Sequence, residues 1–195
     1  VLKGYPSDGE DSQRRLITGH FTVNGEPLPV INGYFPQGES RDHPVKFPAK
    51  EKFYADLMAY LDELAKKPGH ILVMGDMNIS PTDRDIGIGA DNAKRWLRSG
   101  KCSFLPEERE WLGQVEQRGF TDVFRHLHPD EANTFSWFDY RSKGFERDPR
   151  RGLRIDLIMA SDSLLPKAKE AGVSYDIRAM ERPSDHCPVW ASFDL

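Results

Sequence analysis

Residues 71–78 (ILVMGDMN) combine a short apolar run with two polar side chains that follow it directly. Four apolar residues after Pro68-Gly69 are typical of a strand buried on both faces, and Gly75 ends the run. Asp76 and Asn78 then stand at the carboxyl end of a core strand, where open α/β sheets place their sites. If the backbone stays extended, residues two apart point the same way. A carboxylate and an amide there suit a hard divalent cation and a phosphate oxygen.

Asp76 and Asn78 also have a plainer interpretation. Asx side chains after a glycine commonly cap a turn. On this segment alone the capped turn is the simpler explanation, so the choice depends on the rest of the chain.

Composition limits the class of protein. A chain of 195 residues without repeats or a linker predicts a single domain over residues 1–195. Its 27 Lys and Arg against 31 Asp and Glu give a formal net charge of −4, which disfavours indiscriminate nucleic-acid binding but allows a local basic face. Cys102 and Cys187 lack metal-binding spacing and form no disulfide framework, so we expect a reducing cytoplasm. No apolar run approaches the roughly 18 residues of a membrane helix, so we expect no membrane partner.

Turn signals and periodicity predict alternating strands and helices. A strand over Leu16–Val23 is followed by Asn24-Gly25, a strong hairpin signal, and by a partner strand over about Leu28–Tyr34. Pro48 is expected to begin a helix with one apolar stripe. The strand at residues 71–76 comes next, which indicates an α/β fold.

Further elements are predicted downstream. We expect helices at Asp91–Ser99 and, after Pro106 at its first position, at Glu107–Arg118, strands at Phe135–Phe138, Leu153–Ala160, Val173–Met180 and Val189–Phe193, and a helical piece near Leu164–Ala171.

Asp156, Asp185 and His186 form a second set of polar signals near strand ends. A charge inside an apolar run is costly unless it is paired or binds a metal. Asp156 is therefore either a buried partner of Arg154 or of a backbone amide, or the carboxylate that orients a histidine, with His186 as the candidate. Neighbours on an extended backbone point to opposite sides, which leaves Asp185 for a metal. Each signal alone is commonly structural, but together they indicate a catalytic site.

Five motifs carry a resemblance that covers essentially the whole chain. The sequence resembles bacterial exonuclease III, a family of apurinic/apyrimidinic endonucleases in the exonuclease–endonuclease–phosphatase superfamily. The motifs are Ile31–Gly38 (INGYFPQG), Met74–Thr82 (MGDMNISPT), Trp137–Phe145 (WFDYRSKGF), Gly152–Asp156 (GLRID) and Ser184–His186 (SDH).

The resemblance implies a fold and a reaction. The fold is a four-layer α/β sandwich resembling deoxyribonuclease I, with two packed sheets and helices outside. The reaction is Mg²⁺-dependent phosphodiester hydrolysis on double-stranded DNA, with Mn²⁺ as an alternative ion. It would cut 5′ of abasic sites, remove nucleotides from 3′ ends in the 3′-to-5′ direction, and clear 3′-phosphates. The complete protein would be a monomer.

The resemblance also implies site residues. Tyr34 matches the active-site tyrosine that donates to a phosphate oxygen, and Asp76 matches the carboxylate that transfers protons at the metal. Asn78 matches the amide that steadies the transition state. Asp156 matches the partner of the catalytic His186. The implied metal ligands are Asp76, Asn78 and Asp185.

DNA contacts are expected mainly from the loop after Phe138. Arg141 and Lys143 would meet phosphates, while Trp137 and Phe138 would wedge into the gap left by a missing base. The alternative for one of these two aromatic residues is plain core packing. The full set of expected DNA contacts is Arg15, Gln37, Trp137, Phe138, Arg141, Lys143 and His186.

The sequence departs from the family at its start. Family members begin with a strand bearing an Asn and a second strand ending in Gln-Glu-Thr, whose Glu is a principal metal ligand, and this chain contains neither. We therefore expect an N-terminally incomplete domain, a sheet without its opening strands and a metal site that lacks one ligand. Glu39 and Asp42 are the first candidates to replace that Glu.

Two other functions stay open from the sequence. One is a superfamily phosphatase or phosphodiesterase acting on a non-DNA substrate, which the basic loop after Trp137 disfavours. The other is a non-catalytic DNA-binding fragment, which the missing Glu makes conceivable.

Overall fold

The first hairpin forms where the Asn24-Gly25 pair predicts it. In the computed structural model, which describes residues 1–9 and 13–195, β2 (Leu16–Val23) pairs in antiparallel register with β3 (Glu26–Tyr34). Asn24 and Gly25 both have positive φ, 51° and 85°. A two-residue type I′ turn requires this conformation at both positions, so the hairpin prediction is confirmed.

Six strands join in one mixed sheet. β1 (Leu2–Lys3) pairs with β2, and β4 (Leu72–Asp76) lies parallel to β3. With β5 (Phe120–Asp122) and β6 (Asp156–Ser161) the order is β1-β2-β3-β4-β6-β5, and β4 is antiparallel to β6. Parallel strands need a crossover connection, which helix α1 (Lys46–Leu64) supplies between β3 and β4.

A pair of glycines lets β3 and β4 approach each other closely. Gly75 has a φ of 135°, and a Cβ at this position would lie 2.0 Å from the carbonyl oxygen of Gly33. Only glycine tolerates both the backbone conformation and the contact. The residue that ends the apolar run is therefore also the one that allows Asp76 to lie beside Tyr34.

Helices cover one face of the six-stranded sheet. The buried stripe of α1 includes Tyr54, Leu57 and Leu61, which share the main core with Trp111 and Leu112. Burying these apolar side chains stabilises the fold by roughly 1.5–3 kcal/mol for each. The prediction of one apolar stripe on this helix is confirmed for Leu57, Tyr60 and Leu61, whereas Phe53 and Leu64 of the predicted stripe are only partly buried.

The predicted helix bounds are close to those observed. α1 begins at Lys46 rather than at Pro48. α2 spans Ala90–Arg98, and α3 spans Pro106–Glu116 with the proline at its first position, as predicted. Within the described residues no helix is both long enough and apolar enough to cross a membrane.

A two-stranded sheet lies on the opposite face. It contains β7 (Ala168–Val173) and β8 (Val189–Phe193), and helix α4 (Val123–Leu127) packs beside it. Their shared cluster includes Leu28 and Ala160 of the larger sheet. The result is two packed sheets with helices outside the larger one, the α/β sandwich arrangement that we expected.

The small sheet covers its neighbour only in part, and this corrects one prediction. Val73 in β4 is fully buried, but Leu72 and Met74 on the other face are half-buried. β4 is therefore not buried on both faces along its length. The physical reason is that β7 and β8 pack over only part of the opposite face of the sheet.

Two predicted strands are wrong in position. Residues 135–138 form no strand, and Trp137 makes only isolated bridges to Leu153 and His186. The core strand predicted from Leu153 begins at Asp156. The Leu153 backbone and the Ile155 N–H bond to the 135–138 loop, and the Arg154 N–H bonds to Asp85. Pairing partners and not residue type therefore decide the boundary.

Tertiary pairing also overrides local propensity near the end of the chain. The helical piece predicted at 164–171 reduces to a 3₁₀ turn, Leu165–Lys167, because Ala168 onward pairs with β8. The strand predicted at 173–180 is wrong, since it contains helix α5 (Tyr175–Arg178). The last predicted strand, β8, is confirmed.

Candidate active site

Tyr34, Asp76 and Asp156 lie side by side across three neighbouring strands. Tyr34 pairs with Asp76 in the parallel register of β3 and β4, and Asp76 pairs with Asp156 in the antiparallel register of β4 and β6. Paired residues project to the same face of a sheet. Each of the three is the terminal residue of its strand at this end of the sheet. Strand register therefore brings a phenol and two carboxylates together.

His186 contacts this row from the loop before β8. Its Nδ1 lies 2.9 Å from Oδ2 of Asp156, and its Nε2 lies 3.9 Å from Oδ2 of Asp76. A carboxylate at Nδ1 holds the ring in one orientation and leaves Nε2 for chemistry. The contact expected between Asp156 and His186 is present, and the catalytic role of each stays a prediction.

The other interpretation of Asp156, a partner for Arg154, is wrong. Arg154 is 1% exposed and donates instead to Asp85 over 2.7 Å and to Asp122 over 2.6 Å. Adjacent residues on an extended chain point to opposite sides. Arg154 therefore enters a buried ion-pair network, while Asp156 faces His186.

Asp76 and Asn78 form both a turn and a site. The Asn78 backbone N–H donates to Oδ1 of Asp76 over 3.0 Å, so the capped turn is present. Asn78 has a φ of 53°, so the backbone does not stay extended as we supposed. Its side-chain amide nevertheless reaches Asp76, because Nδ2 donates to Oδ2 of Asp76 and to the carbonyl of Phe35, both over 2.9 Å. The amide therefore positions the carboxylate directly.

Crowding shifts the titration of the two central groups. Burial raises the pKa of Asp76, and the charge of Asp156 raises it further, to about 7, although His186 opposes the shift. Burial lowers the pKa of His186, but the hydrogen bond and the charge of Asp156 outweigh burial and raise this pKa to about 9. His186 therefore compensates the negative charge of ionised Asp76 only in part, a condition that favours cation binding by a carboxylate.

Ligand atoms for a cation converge at the same place. One atom each from Asp76, Asp156 and His186 lie within 4.8 Å of one another. Two neighbouring carboxylates, Asp76 and Asp156, fit a hard divalent cation. These residues thus fit the divalent cation that the resemblance implies, and Asp76 and Asp156 would hold it.

The other expected metal ligands lie differently. Asp185 is outside this group, and its Oδ2 accepts a hydrogen bond of 3.0 Å from the Trp137 indole. Glu39 pairs with Lys46 on the surface, and Asp42 is exposed. Neither joins the cluster of Asp76, Asp156 and His186.

The two aromatic residues of the 135–138 loop have different environments. Trp137 is half-buried beside Asp185. Phe138 is fully buried and packs edge-to-face against Phe135 and Phe145. Its predicted DNA contact is wrong, because the ring has no exposed surface. Core packing, the alternative for one of the two residues, applies to Phe138.

The other residues expected to contact DNA are exposed or half-buried. Arg141 and Lys143 are exposed in the loop after Phe138. Arg15 lies over the Tyr34 ring, 4.8 Å from its centroid. Gln37 is exposed, and its Oε1 accepts a hydrogen bond from a backbone N–H of the same loop. Their roles toward DNA stay predictions.

Sequence reasoning missed the buried residues that support the site. The Ser136 hydroxyl is fully buried and accepts from the N–H groups of Ile155 and Asp156, each over 3.0 Å. The Ser136 carbonyl accepts from Cys187, the residue after the histidine. No local pattern marks this serine. A lysine buried in α1, Lys50, was also missed, although a charge one turn before Tyr54 on the core face was a usable signal.

Comparisons with known proteins show which proteins the chain is similar to. Residues 2–186 match the Endonuclease/Exonuclease/phosphatase family. The chain is 58% identical over 193 residues to exodeoxyribonuclease III of Haemophilus influenzae, which covers 99% of this chain and 72% of the relative. Two solved structures are also similar, and each match covers 100% of this chain and 70% of the solved chain. One is the 3′ phosphatase NExo from Neisseria bound to a product DNA hairpin, with a TM-score of 0.87 and 37% identity. The other is an AP endonuclease from Archaeoglobus fulgidus, with a TM-score of 0.84 and 30% identity.

Proposed function

This chain belongs to the endonuclease/exonuclease/phosphatase family, and we propose that it hydrolyses phosphodiester bonds of duplex DNA at abasic sites and at 3′ ends, with Mg²⁺ as the cofactor. The coarser statement, a DNA-repair nuclease of the exonuclease III type, follows from the relatives. The observation that supports the finer proposal is the row of Tyr34, Asp76 and Asp156, with His186 bonded to its last member.

The side chains divide the work by their position. Asp156 holds His186 so that Nε2 faces the row, where a protonated ring donates to a phosphate oxygen. Asp76 has a pKa near 7 and accepts the proton of an attacking water. Tyr34 is exposed, and its hydroxyl group donates a hydrogen bond to another phosphate oxygen.

Asn78 acts through Asp76. To donate to the transition state, the Asn78 amide would need a free N–H. Both N–H groups of Nδ2 are already used, because they donate to the Asp76 carboxylate and to the Phe35 carbonyl. A divalent cation held by Asp76 and Asp156 would supply positive charge where the phosphate becomes more negative.

Three labelled duplexes test the proposal. One carries an internal abasic-site analogue, one an unmodified recessed 3′ end, and one a 3′-phosphate. With Mg²⁺ we expect a nick 5′ of the analogue, shortening from the 3′ end and loss of the phosphate. A gel shift without Mg²⁺ measures binding alone. Hydrolysis of a non-DNA phosphodiester with no action on any duplex would overturn the proposal in favour of a phosphatase or phosphodiesterase. Binding to DNA without cleavage would overturn it in favour of a non-catalytic DNA-binding fragment.

Trp137 is expected to distinguish abasic from intact DNA. The Trp137→Ala change should weaken binding to the abasic duplex by roughly 1–3 kcal/mol, the range measured for one aromatic stacking contact. Intact duplex should lose much less, because it offers no gap. Trp137→Phe keeps a ring but removes the hydrogen bond to Asp185, so it separates the two contributions. Equal losses on both duplexes would make Trp137 a packing residue.

The exposed loop residue Arg141 is expected to act on all duplexes alike. Arg141→Ala should lower affinity for intact and abasic DNA together and reduce the log–log salt slope by about one unit, since one phosphate contact is lost. Lys66→Ala is the matched control, because it removes one exposed positive charge beyond the far end of α1. If the log–log salt slope changes as much in Lys66→Ala as in Arg141→Ala, the effect comes from net charge and not from a phosphate contact of Arg141.

We also propose that the protein works as a monomer in the cytoplasm. Support for the compartment comes from Cys102 and Cys187, which are both buried as free thiols. Light scattering at several concentrations tests the monomer, and a dimer mass at micromolar concentration would contradict it.

A further inference from the structure

We infer that Lys50 and Tyr54, on one face of α1, are positioning residues that hold the turn of Asp76–Asn78 in its reactive geometry. The inference rests on the proposed function, because that function makes the turn part of the site. Among the described residues, the side-chain hydrogen bonds and the ion pair of Lys50 and Tyr54 go to groups outside the row of Tyr34, Asp76 and Asp156. They act through backbone carbonyls behind it.

Lys50 is a charged residue with no exposed surface. Its Nζ donates to the carbonyl of Asn78 over 2.9 Å and to the carbonyl of Gln37 over 3.3 Å, and it forms an ion pair with Glu108. A buried ammonium is costly unless it is paired and hydrogen-bonded. Here the three partners lie in the loop after β3, in the turn after β4 and in their neighbour α3. One charge thus connects the loop that follows Tyr34 to the turn that contains Asn78.

Tyr54 holds the carbonyl group that comes one residue before the one held by Lys50. It is fully buried one helical turn after Lys50, and its hydroxyl donates to the carbonyl of Met77 over 2.7 Å. Residues four apart lie on the same face of a helix. The helix face therefore holds two consecutive carbonyl groups, those of Met77 and Asn78.

The turn needs such support because the regular register of β4 with both of its neighbours ends at Asp76. Beyond it, within the described residues, only the Met77 N–H, which donates to the carbonyl of Ile155, continues the pairing of β4 with the chain before β6. Asn78 has the left-handed φ of 53°. The Asn78 amide in turn bonds to the Asp76 carboxylate. A shift of the Met77–Asn78 peptide is therefore transmitted to the oxygen atoms of Asp76.

Tyr60 offers a matched control on the same helix. It is buried in the same core, and its hydroxyl hydrogen-bonds to Thr18 over 3.2 Å, within the sheet and away from the turn. Tyr54→Phe and Tyr60→Phe thus remove the same atom from similar surroundings. A purely structural role for Tyr54 predicts the same result for both variants.

Steady-state kinetics on the abasic duplex test the inference. We expect Tyr54→Phe to lower kcat and kcat/KM together by roughly 10- to 100-fold, the scale of a misplacement of about 1 Å, with KM nearly unchanged. Tyr60→Phe should keep the wild-type kcat. Lys50→Met/Glu108→Gln removes both charges of the buried pair, so that no charge is left unpaired, and should behave like Tyr54→Phe. All assays are run well below the melting temperature of each variant.

Amide hydrogen exchange gives a second result that needs no activity. The Met77 N–H donates to Ile155 and the Asn78 N–H to Asp76, and both should exchange at least tenfold faster in Tyr54→Phe but not in Tyr60→Phe. Unchanged exchange of these two amides, or equal kcat in the two Phe variants, overturns the inference. If the wild type cleaves no DNA, the proposed function fails, while exchange still decides whether α1 holds the turn.

Discussion

Chelation of divalent cations by EDTA is expected to abolish DNA cleavage, and an excess of Mg²⁺ is expected to restore it. The expectation follows from two carboxylates, Asp76 and Asp156, that lie within reach of one ion, and from burial that raises the pKa of Asp76 to about 7. Without a cation the phosphate and the carboxylates repel one another. The positive charge that would stabilise the transition state, usually the largest single contribution to catalysis, is then missing. We expect a loss of at least about three orders of magnitude in initial rate on a labelled abasic duplex.

A charge-neutral variant separates the metal site from DNA binding. Asp76→Asn keeps the size of the side chain but removes its charge, so turnover should fall by a similar factor while the dissociation constant for DNA changes little. Asp62→Asn is the control, since Asp62 is exposed on α1 and pairs with Arg118. Full activity in EDTA, or an Asp76→Asn enzyme that cleaves normally, would end this account of the site.

Replacing Arg154 with leucine destabilises the protein by about 3–5 kcal/mol, the cost of breaking a buried ion pair from one side. Arg154 is the partner of both Asp85 and Asp122, which are themselves buried. After the change Asp85 still pairs with Arg125. Asp122 loses its ion pair with Arg154. Urea unfolding measures the loss. Arg98→Leu, an exposed change on α2, should stay within about 0.5 kcal/mol.

The same network predicts a response to acid. Burial raises the pKa of Asp85, but the charge and hydrogen bond of Arg154 outweigh it, so the pKa lies below its ordinary value of 3.8. A carboxylate with a depressed pKa adds stability above 3.8 and loses it as pH falls through its folded value. The stability gap between wild type and Arg154→Leu should therefore narrow below pH 3.8. A constant gap down to pH 2 would contradict the role given to Asp85.

Local chemistry was sufficient for several elements. The Asn24-Gly25 pair predicts the hairpin because few residues accept positive φ at two consecutive positions. The apolar stripe of α1 and Pro106 at the start of α3 likewise determine helices from neighbouring residues alone. The polar signals at Asp76, Asp156 and His186 were readable because charge next to an apolar run is costly without a partner.

Only the tertiary structure decided which residues meet. Tyr34, Asp76 and Asp156 become neighbours through strand register, which depends on pairing across long stretches of chain. The same holds for Phe138, which is buried while Trp137 beside it is half-exposed.

Support behind the site was hidden from the sequence for a related reason. Ser136 and Lys50 act on backbone groups of distant segments, and a backbone carbonyl has no signature in the residue that carries it. Residue types and their spacing therefore determined the elements and the candidate chemistry. Packing of the helices and pairing of the strands determined the geometry, because contacts between distant residues depend on the whole fold.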